Sequence, residues 1–366
     1  MTLHRSLNTL AAVVVLATAL SDSNASSPPL PATTRKVIYQ KTDAGNQLVT
    51  LEAPLPKPGQ GQVLVHMRAI ALNGGDIENL DAKRDRTGMI AASDGAGDIV
   101  ALGPNAHQFK VGQRVTSMYW RDWNDGAPTH QNFKGALGSS MDGVFGDYVV
   151  VDQTALVPIA PGLGYEEAAS LPTAGLTAWS AVMTEGHAGP GKTVLVQGTG
   201  GVSTFALVLA HAAGARVIVT SSSDEKLQRA RELGADETIN YKTTPEWGAK
   251  VLQLTGDQGA DVIVEVGGKG TIAQSAQCLA EFGTMAIIGG VSGYGGDFPA
   301  LTLLEKTARA VGIAVGPRVR LKEMEAFMLK HGVKPPIAHV YPHAQLDEAI
   351  AQMRAGQYVG KIVITL

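Results

Sequence analysis

The chain has 366 residues, 30 Lys and Arg against 33 Asp and Glu, and one cysteine, Cys278. At roughly 150 residues per domain, that length predicts two domains. A net charge of −3 without a long basic run argues against a nucleic-acid surface, and one cysteine excludes an internal disulfide or a cysteine-rich metal cluster.

Met1–Ala25 reads as an export signal, with Arg5 in a positive start, an apolar run over Leu10–Leu20, and small residues in Ser23-Asn24-Ala25. The apolar run is too short to span a bilayer. A start site misplaced upstream of the true domain is the alternative; a native chain beginning at Met1, found by mass spectrometry in the cytosol, removes the export reading. Residues 26–34 form a Ser/Pro linker. From Arg35 onward, Val37–Tyr39, Leu48–Glu52, Val63–Ala71, Asp98–Val100, Arg114–Ser117 and Gly146–Val151 read as strands punctuated by Pro and Gly, which predicts a β-rich, barrel-like domain. Tyr119–Gly143 has no periodicity and reads as one long loop. From Tyr165 helices and strands alternate: Glu166–Leu171 and Leu176–Thr184 are helical, and so is Pro245–Leu254, with Thr244 as its N-cap. Asp261–Val266 and Thr284–Ile288 are strands around a helix at Thr271–Leu279, and Thr284–Ile288 suits a sheet edge. The chain then changes character, with strands at Ala310–Val315 and Lys361–Thr365 and helices at Leu321–Lys330 and Gln345–Arg354.

Thr193–Ala213 carries the strongest functional signal. A short apolar strand, Val194–Val196, is followed by Gly198, Gly200 and Gly201, then by a helix with apolar positions at Phe205, Ala206, Leu209 and Ala213. Strand, glycine turn and helix is the setting in which backbone amides and a helix N-terminus cradle a pyrophosphate. A second unit follows, with a strand at Arg216–Thr220 and a helix at Ser222–Leu233 closed by Gly234. Ser203 stands where the fingerprint has its last glycine.

Together, AIALNGGD at 69–76, SDGAGDIVALGP at 93–104, FKVGQRV at 109–115, ASLPTAGLTAW at 169–179, VLVQGTGGV at 194–202 and the terminal GKIVITL resemble the medium-chain dehydrogenase/reductase family. That resemblance implies an α/β chain in which a GroES-like β-barrel-type domain (35–157 plus 300–366) is interrupted by a Rossmann doubly wound parallel-sheet domain (158–299). Zinc-dependent members need a cysteine, a His-Glu pair and a second cysteine; Asn73, Ser93-Asp94 and Thr173 hold those positions here, and the loop at Tyr119–Gly143 replaces the cysteine-rich structural lobe. His339 and His343 are four apart, but Pro342 keeps them off one helix face. The chain therefore resembles the zinc-independent quinone oxidoreductase and enoyl reductase branch. Without a Lewis acid to stabilise an alkoxide, the implied reaction is hydride transfer from NADPH to an electron-poor small molecule, a quinone or an α,β-unsaturated carbonyl. Alternatives are alcohol or aldehyde oxidoreduction, a dinucleotide-binding sensor without activity, or a methyltransferase, which the GroES-like flanks disfavour.

The resemblance places Asn73, Asp76 and Thr177 beside the nicotinamide, although Asn73 and Asp76 also suit a helix cap and Thr177 a packed helix position. Tyr119, Trp120 and Trp123 line a substrate pocket or pack their loop onto the barrel. Tyr148 and Cys278 read as structural. The dinucleotide falls to Gly198, Thr199, Gly200, Gly201, Val202, Val266, Gly267, Gly289 and Lys361. An acidic residue about 20 positions past the first glycine would select NAD; the chain has Ser221 there and Ser222 next, Lys226 one turn on, and Tyr241 at a family position beside the 2′-phosphate. These predict NADP, with Ser222 and Glu225 also readable as a capping box. The family also implies a homodimer through the Rossmann sheet edge. Reduced pyridine nucleotide belongs to the cytoplasm, which conflicts with the export signal.

Overall fold

The computed structural model describes residues 29–295 and 297–366, and Thr33–Leu366 form one compact unit. The expected export signal and residues 26–28 of the linker lie outside the described residues, and the linker's last two residues, Thr33 and Thr34, belong to β1. In chain order the first part holds β1 (Thr33–Lys41), β2 (Asn46–Pro54), β3 (Gln62–Leu72), α1 (Gly74–Asp81), β4 (Asp94–Leu102), β5 (Arg114–Ser117), β6 (Tyr148–Asp152) and β7 (Leu156–Pro158). Next come α2 (Tyr165–Ala169), α3 (Leu176–Trp179), β8 (Thr193–Gln197), α4 (Gly201–Ala212), β9 (Arg216–Ser221), α5 (Asp224–Glu232) and β10 (Glu237–Asn240). Then follow α6 (Trp247–Leu254), β11 (Ala260–Glu265), α7 (Ile272–Gln277), β12 (Leu279–Ile287), α8 (Ala300–Glu305), β13 (Arg309–Gly312), α9 (Arg318–His331), β14 (Ile337–Pro342), α10 (Leu346–Ala355) and β15 (Lys361–Thr365).

Six strands form a parallel sheet in the order β10-β9-β8-β11-β12-β13. This is the doubly wound arrangement, and the order reverses between β8 and β11. Its central strands are apolar on both faces because helices cover both sides: Val194, Leu195, Val196, Val262, Ile263 and Val264 have no exposed surface. Seven further strands form a second sheet, β14-β15-β3-β4-β5-β7 with β6 also on β3, and β1 with β2 makes a hairpin. β15, the last strand of the chain, pairs antiparallel with β3. That pairing brings the start of β15, Lys361 and Ile362, to the entrance of α1.

Several elements differ from expectation. Thr284–Ile287 lies within β12, which has neighbours on both sides, and Ile288 follows it; β13 forms that edge instead. The strand expected at Ala310–Val315 is β13, and it belongs to the six-stranded sheet, so the expected boundary at 299/300 does not follow the sheets. Leu176–Thr184 is α-helical only over α3, flanked by π-helical turns at Leu171–Gly175 and Ser180–Glu185. Pro172, which has no N–H to give, stands in the first of these. α6 begins at Trp247 with Glu246 as its N-cap, so Thr244 does not cap it. The cap of α5 is Ser223, whose hydroxyl accepts from the Lys226 N–H at 3.3 Å. Ser222 is therefore outside the helix, and no capping box forms with Glu225. Tyr148 stacks on His66 at 4.3 Å, and Cys278 is buried at the end of α7 with its thiol pushed up to about 12 by burial. Both are structural, as expected.

Candidate active site

The turn from β8 to α4 uses its glycines for three different reasons. Gly198 takes φ +73°, a left-handed conformation that a side chain resists. Gly200, the N-cap of α4, has ordinary φ, and a Cβ added there would meet no protein atom within 4 Å. Neither strain nor packing requires glycine at 200; the open space over it is where a ligand's phosphate can reach the helix terminus. A Cβ at Gly201 would come within 2.7 Å of Lys361 Cδ, so that glycine lets the C-terminal strand pass close. Ser203 ties the helix back to its strand, its hydroxyl donating to the Gln197 carbonyl at 2.7 Å. The C-terminal segment closes over the same turn: the Gly360 N–H donates to the Thr199 carbonyl at 3.1 Å.

A cleft of about 1080 Å³ opens along this turn between the two sheets. Gly198, Thr199, Gly200, Gly201, Val202, Ser221, Lys226, Tyr241, Val266, Gly267, Gly289 and Lys361 all line it, together with Asn73, Asp76, Thr177, Tyr119 and Trp120. Ser222 and Trp123 do not. Trp123 is buried, donates Nε1–H to the Gly126 carbonyl at 3.0 Å and packs edge-on against Phe133; it holds its own loop together. Glu78, Ser292, Tyr294, Arg354 and Tyr358 also line the cleft. Ser292 and Tyr294 stand in the glycine-rich stretch at 289–296, and Tyr358 stands between Gly356 and Gly360; that glycine density was the signal that could have found them.

Ser221, Lys226 and Tyr241 cluster at the end of β9. The Tyr241 N–H donates to the Ser221 carbonyl at 3.1 Å, and Lys226 Nζ donates to the Gly356 carbonyl at 3.0 Å. Burial and the neighbouring Lys242 lower the Lys226 pKa. The second cationic group of the cleft is deeper. Lys361 is almost fully buried, and Nζ donates to the Leu72 carbonyl at 2.5 Å and to Asn73 Oδ1 at 2.6 Å. Burial lowers its pKa, while the carboxylates of Asp94 and Asp76 raise it.

Asn73 caps a helix and also lines the cleft. It is the N-cap of α1, with its backbone N–H donating to Asp76 Oδ2 at 2.8 Å. Because Lys361 can only donate, it also fixes the Asn73 amide with Oδ1 toward the ammonium and Nδ2 as the donor face, which reaches the Ala71 carbonyl and the Ser93 hydroxyl at 3.4 Å each. Asp76 is buried, and burial pushes its pKa up to about 7. Tyr119 is raised by burial as well, and it meets the Trp120 ring edge-on at 4.6 Å. Trp120 Nε1 donates to the Ala314 carbonyl at 2.7 Å.

Asn73, Ser93, Asp94 and Thr173 converge from three elements. Asp94 Oδ1 accepts from the hydroxyls of Ser93 at 2.8 Å and Thr173 at 2.6 Å, and Oδ2 accepts from the Thr173 N–H at 3.1 Å. The donor set is one carboxylate, already engaged on both oxygens, plus two hydroxyls and an amide. It does not fit zinc, which takes three nitrogen, sulfur or carboxylate ligands from the protein in a catalytic site. Among the described residues no cluster of three His, Cys, Asp or Glu could hold a metal, and no helix is long and apolar enough to cross a membrane.

Comparison with known proteins agrees with this layout. Residues 59–161 match the alcohol dehydrogenase GroES-like domain, and residues 201–330 match the zinc-binding dehydrogenase domain. A zinc-type alcohol dehydrogenase-like protein of Schizosaccharomyces pombe is 39% identical over 343 residues, covering 91% of this chain and 99% of the relative. Prostaglandin reductase-3 of Bos taurus is 33% identical over 301 residues, covering 77% of this chain and 73% of its own. A Sinorhizobium meliloti structure solved as a candidate alcohol dehydrogenase superposes with a TM-score of 0.86 at 36% identity, covering 92% of this chain and all of the other. With the doubly wound sheet, the GroES-like domain and the glycine turn between them, the chain belongs to the medium-chain dehydrogenase/reductase family of NAD(P)-dependent oxidoreductases.

Proposed function

We propose that this protein is a zinc-independent reductase that uses NADPH to reduce an electron-poor small molecule, a quinone or an α,β-unsaturated carbonyl. The observation that carries the reading is the Lys361–Asn73 clamp, with Nζ 2.6 Å from Oδ1. It leaves the site a fixed N–H donor and a buried cation where a metal would otherwise stabilise an oxyanion. A dinucleotide held over Gly198–Val202 would supply hydride. Hydride on the β-carbon of an α,β-unsaturated carbonyl would move negative charge to the carbonyl oxygen, and a proton from solvent at the α-carbon would complete the reduction. Asn73 Nδ2 can donate to that oxygen, and a preorganised donor aimed at developing charge is an effective form of catalysis. Oxidation of a simple alcohol would need a group that stabilises an alkoxide from the start, and the engaged Asp94 carboxylate opposes one.

The 2′-phosphate of NADPH fits the Ser221, Lys226 and Tyr241 corner because no carboxylate faces it from the end of β9. The same reading includes a homodimer joined at β13. A panel of quinones, enones and alcohols, with nicotinamide absorbance as readout, tests the reaction. We expect NADPH consumption with quinones and enones, little turnover of primary alcohols with NADP, and a loss of roughly a hundredfold or more in kcat for Asn73→Asp, which turns the donor face into an acceptor. Fast alcohol oxidation, or stoichiometric zinc in active protein, would show that this chain works as its zinc-type relatives are named.

A further inference from the structure

β11 ends at the switch point of the six-stranded sheet, and its last residue is Glu265, with no exposed surface. Five donors converge on this one carboxylate. Oε1 accepts from the Gly267 and Gly268 N–H groups, both at 2.9 Å, and from the Thr271 hydroxyl at 2.5 Å. Oε2 accepts from Gln197 Nε2 at 2.7 Å and from the Ser275 hydroxyl. Gln197 in turn turns its Oε1 to the N–H groups of Val266 and Gly267, each at 3.3 Å. The donors come from the end of β8, the loop after β11, and α7. The network reaches a fourth segment through Gly267, whose carbonyl accepts from the Ser292 N–H at 2.7 Å and the Ser292 hydroxyl at 2.6 Å. Gln197, Val266, Gly267, Thr271, Gly289 and Ser292 all face the cleft, whereas Glu265 does not.

A fully buried carboxylate is costly unless hydrogen bonds satisfy it. Here those bonds are spent on the backbone of a loop that lines the ligand cleft. We propose that Glu265 is the positioning residue of the dinucleotide site. It holds the loop after β11 and, through Gly267, the loop after β12 in the conformation that receives the nicotinamide half of the cofactor. The inference rests on dinucleotide binding in this cleft and is independent of the substrate. Three of the five partners, the Gly267 and Gly268 N–H groups and Gln197 Nε2, can only donate, whereas the two hydroxyls could turn to accept. Glu265→Gln therefore sets an NH2 group against at least one obligatory donor whichever way it turns.

The test compares Glu265→Gln, Thr271→Val and Val264→Ala with the wild type. Binding of NADPH and NADH is measured by fluorescence titration, hydrogen exchange at residues 266–268 in the free protein, and Tm. We expect Glu265→Gln to raise both dissociation constants about ten- to hundredfold, as leaving buried donors unpaired should. It should also speed exchange at Gly267 and Gly268, raise the KM for nucleotide, and leave the KM for the acceptor unchanged. Thr271→Val, which removes one donor, should do the same more weakly. Val264→Ala lowers Tm by opening a core cavity without touching the network, and should leave binding unchanged. Wild-type affinity in a folded Glu265→Gln overturns the proposal, and so does an equal loss of affinity in Val264→Ala. If Glu265→Gln fails to fold, Thr271→Val decides: weaker binding with faster exchange supports the role, and unchanged binding overturns it. Wild-type protein that binds neither nucleotide overturns the cofactor reading, and this inference with it, before any variant is compared.

Discussion

Lys226 is tethered, with its ammonium on the Gly356 carbonyl at the end of α10. A tethered cation loses little freedom when a phosphate binds, so its full charge-assisted contact is available to the ligand. Such a bond contributes about 1.5–3 kcal/mol, so Lys226→Ala should weaken NADPH by roughly ten- to hundredfold and leave NADH nearly unchanged. Equal losses for both nucleotides in a titration would remove Lys226 from the 2′-phosphate site. Asp76 makes a pH-dependent prediction. Burial holds its pKa at about 7 in the fold, while the unfolded side chain titrates near 3.9. The unfolded chain therefore releases this proton first as pH rises. Asp76's contribution is full below about pH 4 and is lost as pH climbs through 7. Asp94 adds to that effect, and Lys361 and the Asn73 N–H oppose it. Asp76→Asn, which can still accept from Asn73, should gain stability relative to wild type at about pH 8 compared with about pH 5. Urea unfolding at the two pH values reads the difference, and an equal difference at both would sink the assignment. Asn73 and Asp76 were legible as a helix cap, and the structure forms that cap at the edge of the cleft. What the sequence could not show is that Lys361, 288 residues away, sets the direction of the Asn73 amide.

At the scale of elements, the β8–α4 turn was the most legible part, because strand, glycines and helix occur in one short stretch. Its glycines differ in a way that makes a prediction. Gly200 has φ −73°, and its Cβ direction is empty. Gly200→Ala should therefore change unfolding free energy by no more than about 1 kcal/mol, the usual range for an N-cap substitution, yet weaken both nucleotides by filling the space above the helix terminus. Isothermal titration against thermal unfolding separates the two effects. A variant that binds normally would mean the phosphate does not approach there. Ser203 reads as a defect in the fingerprint, but its hydroxyl replaces close helix–strand packing with a hydrogen bond to the Gln197 carbonyl. The π-helical turns around α3 and the five-donor site on Glu265 were not legible. Hydrophobic periodicity reports which face of an element is buried, and it is silent about ladder register and about polar groups that meet across three segments.

The sheet order decides how whole molecules can associate. The two ends of the six-stranded sheet are β10 and β13, and among the described residues nothing pairs with the outer side of β13. An open edge is a template for another strand unless it is covered. The surroundings of this edge favour covering it with a second copy. Phe282 is 75% exposed, and Leu301 and Leu304 on the helix leading into β13 are each 74% exposed. The Phe282 N–H donates to the Lys306 carbonyl at 2.9 Å, which places that aromatic ring's residue at the end of the same helix. Exposed apolar groups gathered beside an unpaired strand mark an interface more often than a free surface. A twofold axis through β13 would pair the strand with itself, bury those side chains on both copies and continue the sheet across the dimer, a self-complementary contact that closes. The expected outcome is a particle of twice the chain mass in light scattering at micromolar concentration. Leu301→Asp with Leu304→Asp should give a folded monomer, because buried charge opposes the contact while exposed charge costs the single chain little. Since neither Leu301 nor Leu304 lines the cleft, the monomeric variant should keep its affinity for NADPH. A wild-type monomer, or a double variant that stays dimeric, would place the interface elsewhere or remove it.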